Sequence, residues 1–200
     1  MTAVLGFQCT LPSWVDDHVD FDRPYPTAED KMRVAIDLAM RNISERHGGP
    51  FGAAIFDDTT DHLIGPGVNL VIPSSNPTAH AEIVAMGVAG ARLGQYDLGA
   101  NGSRPTTLVT STEPCAMCLG ATPWSGVSTL IVGARDEDAR AIGFDEGSKP
   151  DDWIAYLEGR GISVQPDVLR EEAADVLRRY MATGGEIYNA ALTEEKQTDA

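Results

Sequence analysis

The apolar positions of this chain change period along its length, and the changes mark out its elements. Thr27 with Asp30 reads as a helix start, and Met32, Ala35, Ile36, Ala39 and Ile43 then recur at i, i+3, i+4 spacing. That stripe predicts a helix ending at Gly48-Gly49-Pro50, with one face laid on a sheet. The runs Phe51 to Phe56 and Leu63 to Val71 flank a turn-rich Asp57-Asp58-Thr59-Thr60-Asp61, the pattern of an antiparallel hairpin closed by Pro73 to Pro77. From Thr78 to Leu93, Val84, Val88 and Ala91 share one helical face, with His80 and Glu82 in the first turn. Thr106 to Thr110 is a β-branched strand, Cys115 to Ala121 a short helix and Thr129 to Val132 another apolar strand. Strands alternating with helices predict a parallel section of sheet, hence an α/β protein.

Towards the C-terminus, Ile154 to Leu157 is weakly helical and Ile162 to Val164 a short strand. Asp167 reads as the cap of a helix whose Leu169, Ala173, Val176, Leu177 and Tyr180 form one stripe. Residues 1–26 hold Pro12, Pro24 and Pro26 with no lasting periodicity and are expected to be an irregular lead-in. Residues 27–190 form one expected domain, and 191–200 a polar, frayed tail. No internal repeat or low-complexity tract interrupts this order.

Composition narrows the class. Two hundred residues, 42% of them hydrophobic, can bury a substantial core as a single domain. The N-terminal stretch to Trp14 has neither a basic segment nor a continuous apolar one, and no run approaches a membrane span, so a soluble, cytoplasmic protein is expected. The formal charge of −15 argues against prolonged contact with a phosphate backbone and favours a small-molecule substrate. Of the three cysteines, two stand in a C-x-x-C that suits a reducing compartment, and Cys9 reads as a bystander.

The chemistry lies in His80-Ala81-Glu82 and Pro114-Cys115-Ala116-Met117-Cys118. Cys115 and Cys118, at i and i+3, point their sulfurs to one side of a first helical turn, where orphan N–H groups favour thiolate. His80 and Glu82, at i and i+2, diverge in a helix interior and converge only at a helix entrance. Two helix N-termini are therefore expected to face one zinc ion, with His80, Cys115 and Cys118 as ligands. A structural zinc site is normally closed by four protein ligands, and His18, His47 and His62 stand too far apart in sequence to supply the fourth. Two thiolates cancel the charge of the metal, so a nearby base is valuable. Glu82 fits as the carrier that takes a proton from the attacking water, passes it to a ring nitrogen and later serves the departing amine.

These residues resemble the cytidine deaminase-like superfamily. Asn76-Pro77-Thr78-Ala79-His80-Ala81-Glu82, Glu113-Pro114-Cys115-Ala116-Met117-Cys118-Leu119-Gly120-Ala121 with Trp124, Gly48-Gly49-Pro50-Phe51-Gly52, and the Asp138 to Gly147 segment with its Gly143-Phe144-Asp145 look like its bacterial guanine deaminases. The resemblance runs from about Thr27 to about Asn189. It implies a three-layer cytidine deaminase-like fold with a central five-stranded mixed sheet between helices, a homodimer, one Zn2+ per chain, and hydrolysis of guanine to xanthine and ammonia. By the same resemblance Asn69 orients the purine edge, Asp138 assists Glu82 in moving protons, Phe51 and Trp124 line the base pocket, and the backbone N–H of Ala81 meets the base. In guanine deaminases of this kind an aromatic residue near the C-terminus can complete the pocket, sometimes from the partner chain; the resemblance leaves open whether Tyr188, in the terminal Gly184 to Ala190 stretch, takes that role, and it assigns no counterpart to the lead-in.

Other amino-heterocycles remain open, since guanosine, pterin, cytosine or aminotriazine deaminases would keep the zinc chemistry and alter only the pocket rim. A tRNA adenosine deaminase shares Pro77-Thr78-Ala79-His80-Ala81-Glu82 but needs phosphate contacts that the acidity opposes. A catalytically silent interaction module could dispense with Glu82, which is present here.

Overall fold

The computed structural model describes residues 8–189. The expected tail 191–200, the last residue of the expected domain and the first seven of the lead-in lie outside them.

The first long helix forms where the stripe predicts it. α2 (Ala28–Ser44) starts at Thr27, whose Oγ1 accepts the Asp30 N–H at 3.0 Å. Before it, α1 (Trp14–His18) gives the lead-in an ordered turn that its irregular sequence did not predict. Five residues are too few to show a period, yet Val15 is buried against Leu38, Val68, Leu70 and Val84. Pro24 bridges His62, and the Tyr25 N–H donates to the Asp61 carbonyl.

β1 (Gly52–Asp57) and β2 (Leu63–Val68) form the predicted antiparallel hairpin. β2 stops short of Val71 because Asn69 turns the chain: its N–H donates to the Phe51 carbonyl, and its Oδ1 accepts from Val71 N–H at 3.3 Å. A single turn, α3 (Val71–Ser74), follows, and then α4 (Ala81–Leu93). β3 (Thr106–Thr112), α5 (Ala116–Ala121), β4 (Thr129–Ala134), α6 (Asp136–Ala141), α7 (Trp153–Glu158), β5 (Ser163–Gln165) and α8 (Arg170–Ala182) complete the order. Asp167 does not cap α8. Its carboxylate takes Arg135 Nε and Nη2, both at 2.7 Å, while Leu169 occupies the cap with φ near +52°.

The sheet runs β2-β1-β3-β4-β5. β1 is antiparallel to β2 and β3, whereas β3, β4 and β5 are mutually parallel, giving the five-stranded mixed sheet. Alternate side chains sort to opposite faces. Ala54, Phe56, Val109 and Ile131 pack under α2 and α8, and Ala53, Ile55, Leu108, Leu130 and Val132 pack under α4, α5 and α7. The result is a three-layer α/β fold.

Two features bring the chemistry to one place. Gly67 on β2 lets the backbone of α4 close onto the sheet, since a Cβ there would collide with the Ala81 carbonyl. α5 and α6 both begin at the C-terminal ends of parallel strands β3 and β4, the edge at which open α/β sheets bind ligands. No helix among the described residues is long and apolar enough to cross a membrane.

Candidate active site

His80 and Cys115 are the N-cap residues of α4 and α5, each with extended ψ, 155° and 169°. An N-cap residue leaves the helical path, so its side chain turns across the helix mouth rather than along a face. The two helix starts therefore meet: His80 Nδ1 lies 3.4 Å from Cys115 Sγ, and the donor atoms of His80, Cys115 and Cys118 all fall within 4.8 Å of one another. One imidazole and two thiols at this spacing fit a single zinc ion. Among the described residues this cluster offers three donors, the ligand count of a catalytic site with one position open.

The proton balance of the cluster agrees with a metal-ready site. Cys115 is held at about 4, first because the Cys118 thiol hydrogen-bonds to its sulfur, then by His80. Cys118 is pushed up by that shared proton and by burial, and metal binding is what removes it. The His80 ring is disfavoured as a cation by burial, but the Cys115 acceptor and the charge of Glu82 outweigh this and raise it.

Glu82, in the first turn of α4, is 6% exposed. Burial, and next the negative charge of Cys115, raise its carboxyl to about 7. It opens on a cavity of about 360 Å³ walled by Phe51, Asn69, His80, Thr112, Cys115, Phe144, Glu146 and Tyr188 among others. That volume is at the lower end of the roughly 300–1,000 Å³ seen for ligand pockets.

Asn69 follows the last residue of β2 and lies on the cavity wall, 1% exposed. Its carbonyl accepts from Asn42 Nδ2 at 3.0 Å, and the same amide reaches the Gly49 carbonyl at 2.9 Å. Asn42, buried on α2 and absent from the sequence reading, thus ties the Gly48-Gly49-Pro50 turn to the residue beside the cavity. With its backbone held and its Oδ1 engaged, Asn69 leaves Nδ2 buried without a partner. Such an atom carries a desolvation penalty that a ligand acceptor would relieve. Phe51 is also on the wall, edge-on to Phe144 at 4.9 Å. Ala81 is fully buried in the inner core, so it offers the site only its backbone N–H, one of the first-turn donors that a helix leaves without an intrahelical acceptor.

Two expected residues lie elsewhere. Trp124 sits on the 3₁₀ turn Thr122–Ser125 after α5 and is 83% exposed, beside Tyr96 over a second, shallow depression on the far side of α4. Asp138, in the first turn of α6, has its carboxylate occupied: it accepts the Arg135 N–H at 2.8 Å and Arg170 Nε at 2.9 Å. The Arg170 guanidinium holds its carboxyl below the usual range. Asp138 does not reach the cavity wall.

Beside Glu82 the wall carries Glu113, Asp145 and Glu146, and of these three only Glu146 is buried, 6% exposed, with its carboxyl raised to about 8 by burial and then by the negative charges of Cys115 and Glu82. The Gly143-Phe144-Asp145-Glu146-Gly147 stretch carried that signal in sequence, as an acidic residue between turn glycines. Its position depends on tertiary contact: the Glu146 carbonyl accepts the Ala116 N–H at 2.9 Å, against the mouth of the zinc helix. Tyr188 closes the cavity, 5.0 Å from the Phe144 ring centroid. Gly49 makes room for it, since a Cβ there would strike its hydroxyl.

Comparison with known proteins places this geometry. The family model described as the cytidine and deoxycytidylate deaminase zinc-binding region matches residues 26–134. The guanine deaminase of Bacillus subtilis (strain 168) is 40% identical over 115 residues, covering 58% of this chain and 69% of that protein. A tRNA-specific adenosine deaminase of Haemophilus influenzae is 36% identical over 153 residues, 76% of this chain and 82% of its own. The solved structure of a guanine deaminase from Nitrosomonas europaea superposes with a TM-score of 0.85 at 41% identity, over 91% of this chain and all of that one. Because the family match spans more than half of the chain and includes every residue of the zinc cluster together with Glu82, the chain belongs to the cytidine and deoxycytidylate deaminase family and is a zinc-dependent hydrolytic deaminase.

Proposed function

We propose that this enzyme hydrolyses the exocyclic amine of a free purine base, converting guanine to xanthine and ammonia. The observation that carries the reading is the unpartnered Nδ2 of buried Asn69 on the wall of a small cavity that also holds Glu82. A purine edge supplies the acceptor that this amide lacks, and a buried polar group left waiting is what lets a pocket distinguish bases. The likeness to the two guanine deaminases supports the same choice.

Zinc held by His80, Cys115 and Cys118 supplies Lewis acidity towards the attacking water. Glu82 accepts a proton from that water as its oxygen bonds to the amine-bearing ring carbon, and delivers the proton to the adjacent ring nitrogen. Breaking the carbon–nitrogen bond requires a second proton on the amine, and Glu146, the buried one of the further carboxyls on the wall, is placed to carry it. Phe51 and Phe144 border the base, and Asn69 with the Ala81 N–H fixes which carbon meets the water. Asp138, tied to Arg170, has no part in this step.

The fold is one catalytic domain over 27–190, acting as a homodimer in the cytoplasm. The exposed Trp124 and Tyr96 give the α4 side an apolar face that association would cover, and a C-x-x-C zinc site suits a reducing compartment. A tRNA reading is favoured by the likeness to the adenosine deaminase and opposed by the −15 charge.

The test is ammonia release by zinc-loaded enzyme from guanine, guanosine, adenine, cytosine, cytidine, pterin and an aminotriazine, with inosine formation in tRNA alongside. Dominant turnover of guanine is expected. Preference for another heterocycle, or for tRNA, overturns the substrate while leaving the zinc mechanism in place.

A further inference from the structure

Glu146 reaches the cavity on a segment, residues 143–149, that has no helix or strand of its own. The start of the segment is tied to the end of α6 by the Phe144 N–H on the Ala139 carbonyl and to Asn189 by the Asp145 N–H and the Gly143 carbonyl, while further on the Glu146 carbonyl takes the Ala116 N–H and the Gly147 carbonyl takes Arg140 Nη2 at 2.8 Å. The last hold, at the end of the segment, is Lys149. Its side chain is 8% exposed, and its Nζ stands 2.5 Å from Glu113 Oε1, 2.7 Å from Asp136 Oδ1 and 3.1 Å from the Pro114 carbonyl. An ammonium has three protons, and here each has an acceptor on a different residue. Glu113 and Pro114 are the two residues before the zinc ligand Cys115, and Asp136 opens α6.

We infer that Lys149 is a positioning residue for the deamination, fixing Glu146 relative to the zinc ligand Cys115 by clasping the end of the 143–149 segment to Glu113, Pro114 and Asp136. The inference rests on the deaminase reading above, with Glu146 as a proton carrier. Lys149 is not on the cavity wall and does not touch the reacting atoms. It acts by adding a side-chain hold between the 143–149 segment and the residues before Cys115, beside the Ala116 N–H bond to the Glu146 carbonyl. A small displacement of a proton carrier lowers the rate of the chemical step without changing how substrate is bound.

A purely structural ion pair would stabilise the fold and nothing more, and the molecule carries its own control. Lys31 is equally buried, 9% exposed, and bridges Asp58 at 3.1 Å and Asp61 at 3.0 Å, at the far end of β1 from the cavity. The experiment compares Lys149→Met and Lys31→Met in the full zinc-loaded chain. It reads zinc content, kcat and KM on the heterocycle that wild type turns over best, and amide hydrogen exchange at Ala116. Lys149→Met is expected to keep one zinc per chain, to lose about tenfold or more in kcat with KM altered less than about threefold, and to expose the Ala116 amide to faster exchange. Lys31→Met should lose stability with kcat and Ala116 exchange unchanged. Equal kcat in wild type and Lys149→Met, or equal falls in the two variants, overturns the inference. Should Lys149→Met not fold, Asp136→Asn removes the charge and one oxygen of an acceptor that is not on the cavity wall and should show the same pattern at smaller size; wild-type kcat there overturns it too. If wild type releases ammonia from no heterocycle, the deaminase reading has failed separately. The Ala116 exchange then decides alone: faster only in Lys149→Met upholds the clasp, and equal rates overturn it.

Discussion

Arg170 grips both carboxylate oxygens of Asp138, Nε to Oδ2 at 2.9 Å and Nη2 to Oδ1 at 3.1 Å, so that α8 is pinned to the first turn of α6. A carboxylate engaged by a guanidinium and by the Arg135 N–H has no lone pair directed at the cavity. Asp138→Asn should therefore keep kcat within about twofold of wild type, since it changes a partly exposed ion pair, with side chains 27% and 21% exposed, rather than the site. Its effect belongs to stability against acid. The Asp138 carboxyl is depressed in the folded state, so its contribution is present above the ordinary aspartate range and is lost as pH falls through the folded value. Thermal melts at pH 7 and pH 3 check this: the variant should lie slightly below wild type at pH 7 and converge with it at the acid end.

Glu146 should behave in the opposite way on both counts. Glu146→Gln keeps the shape of the side chain and removes the proton site, so kcat is expected to fall by about 10²-fold with little change in zinc content. In the metal-free protein its folded value of about 8 lies above the ordinary 4.5. The folded state then holds the proton more tightly than the unfolded chain. The associated stability is complete below about 4.5 and is lost as pH rises through about 8. Chelator-treated wild type should therefore melt lower at pH 9 than at pH 6, and Glu146→Gln should show a smaller drop; identical drops would remove Glu146 from this account.

Cys115→Ala and Glu82→Gln separate metal binding from proton transfer. Removing the Cys115 sulfur leaves two donors, so zinc measured by elemental analysis and turnover should both be lost. Glu82→Gln leaves all three donors in place and should retain one zinc per chain while kcat drops by about 10²–10⁴-fold. Full zinc in Cys115→Ala would exclude it as a ligand, and near-normal turnover by Glu82→Gln would exclude it as the carrier.

What the sequence disclosed follows from how local each constraint is. His80, Glu82, Cys115 and Cys118 were legible because zinc chemistry demands fixed residue types at fixed spacing on helix starts, and both spacings lie within one turn. The strands and the stripes of α2 and α8 were legible from period alone. Glu146 was not, because it sits in a segment without period, placed by the Ala116 N–H and by Lys149. Asp138 was chosen in its stead for its place in the same acidic run, and nothing local reveals that Arg170, 32 residues on, takes its carboxylate. Trp124 stands one turn after the zinc helix, where direction is set by the 3₁₀ turn rather than by residue type. Asp167 has the chemistry of a cap, but Arg135 claims it and leaves Leu169 to start α8.

Asn69 bears on substrate choice. Its backbone carbonyl is held by Asn42, its N–H by Phe51 and its Oδ1 by Val71, so truncating the side chain forfeits one weak intramolecular bond and an Nδ2 that has none. Asn69→Ala should therefore fold and bind zinc normally. What it loses is the amide hydrogen bond to the base, about 1–3 kcal/mol for a buried polar contact, or roughly 5- to 150-fold in kcat/KM for guanine. The loss should be specific: a heterocycle without an acceptor at that edge should suffer far less, which narrows the preference as well as lowering the rate. An unchanged kcat/KM for guanine in a variant with full zinc would show that this amide does not read the base, and an equal loss on every heterocycle would show that it shapes the pocket rather than recognising the purine.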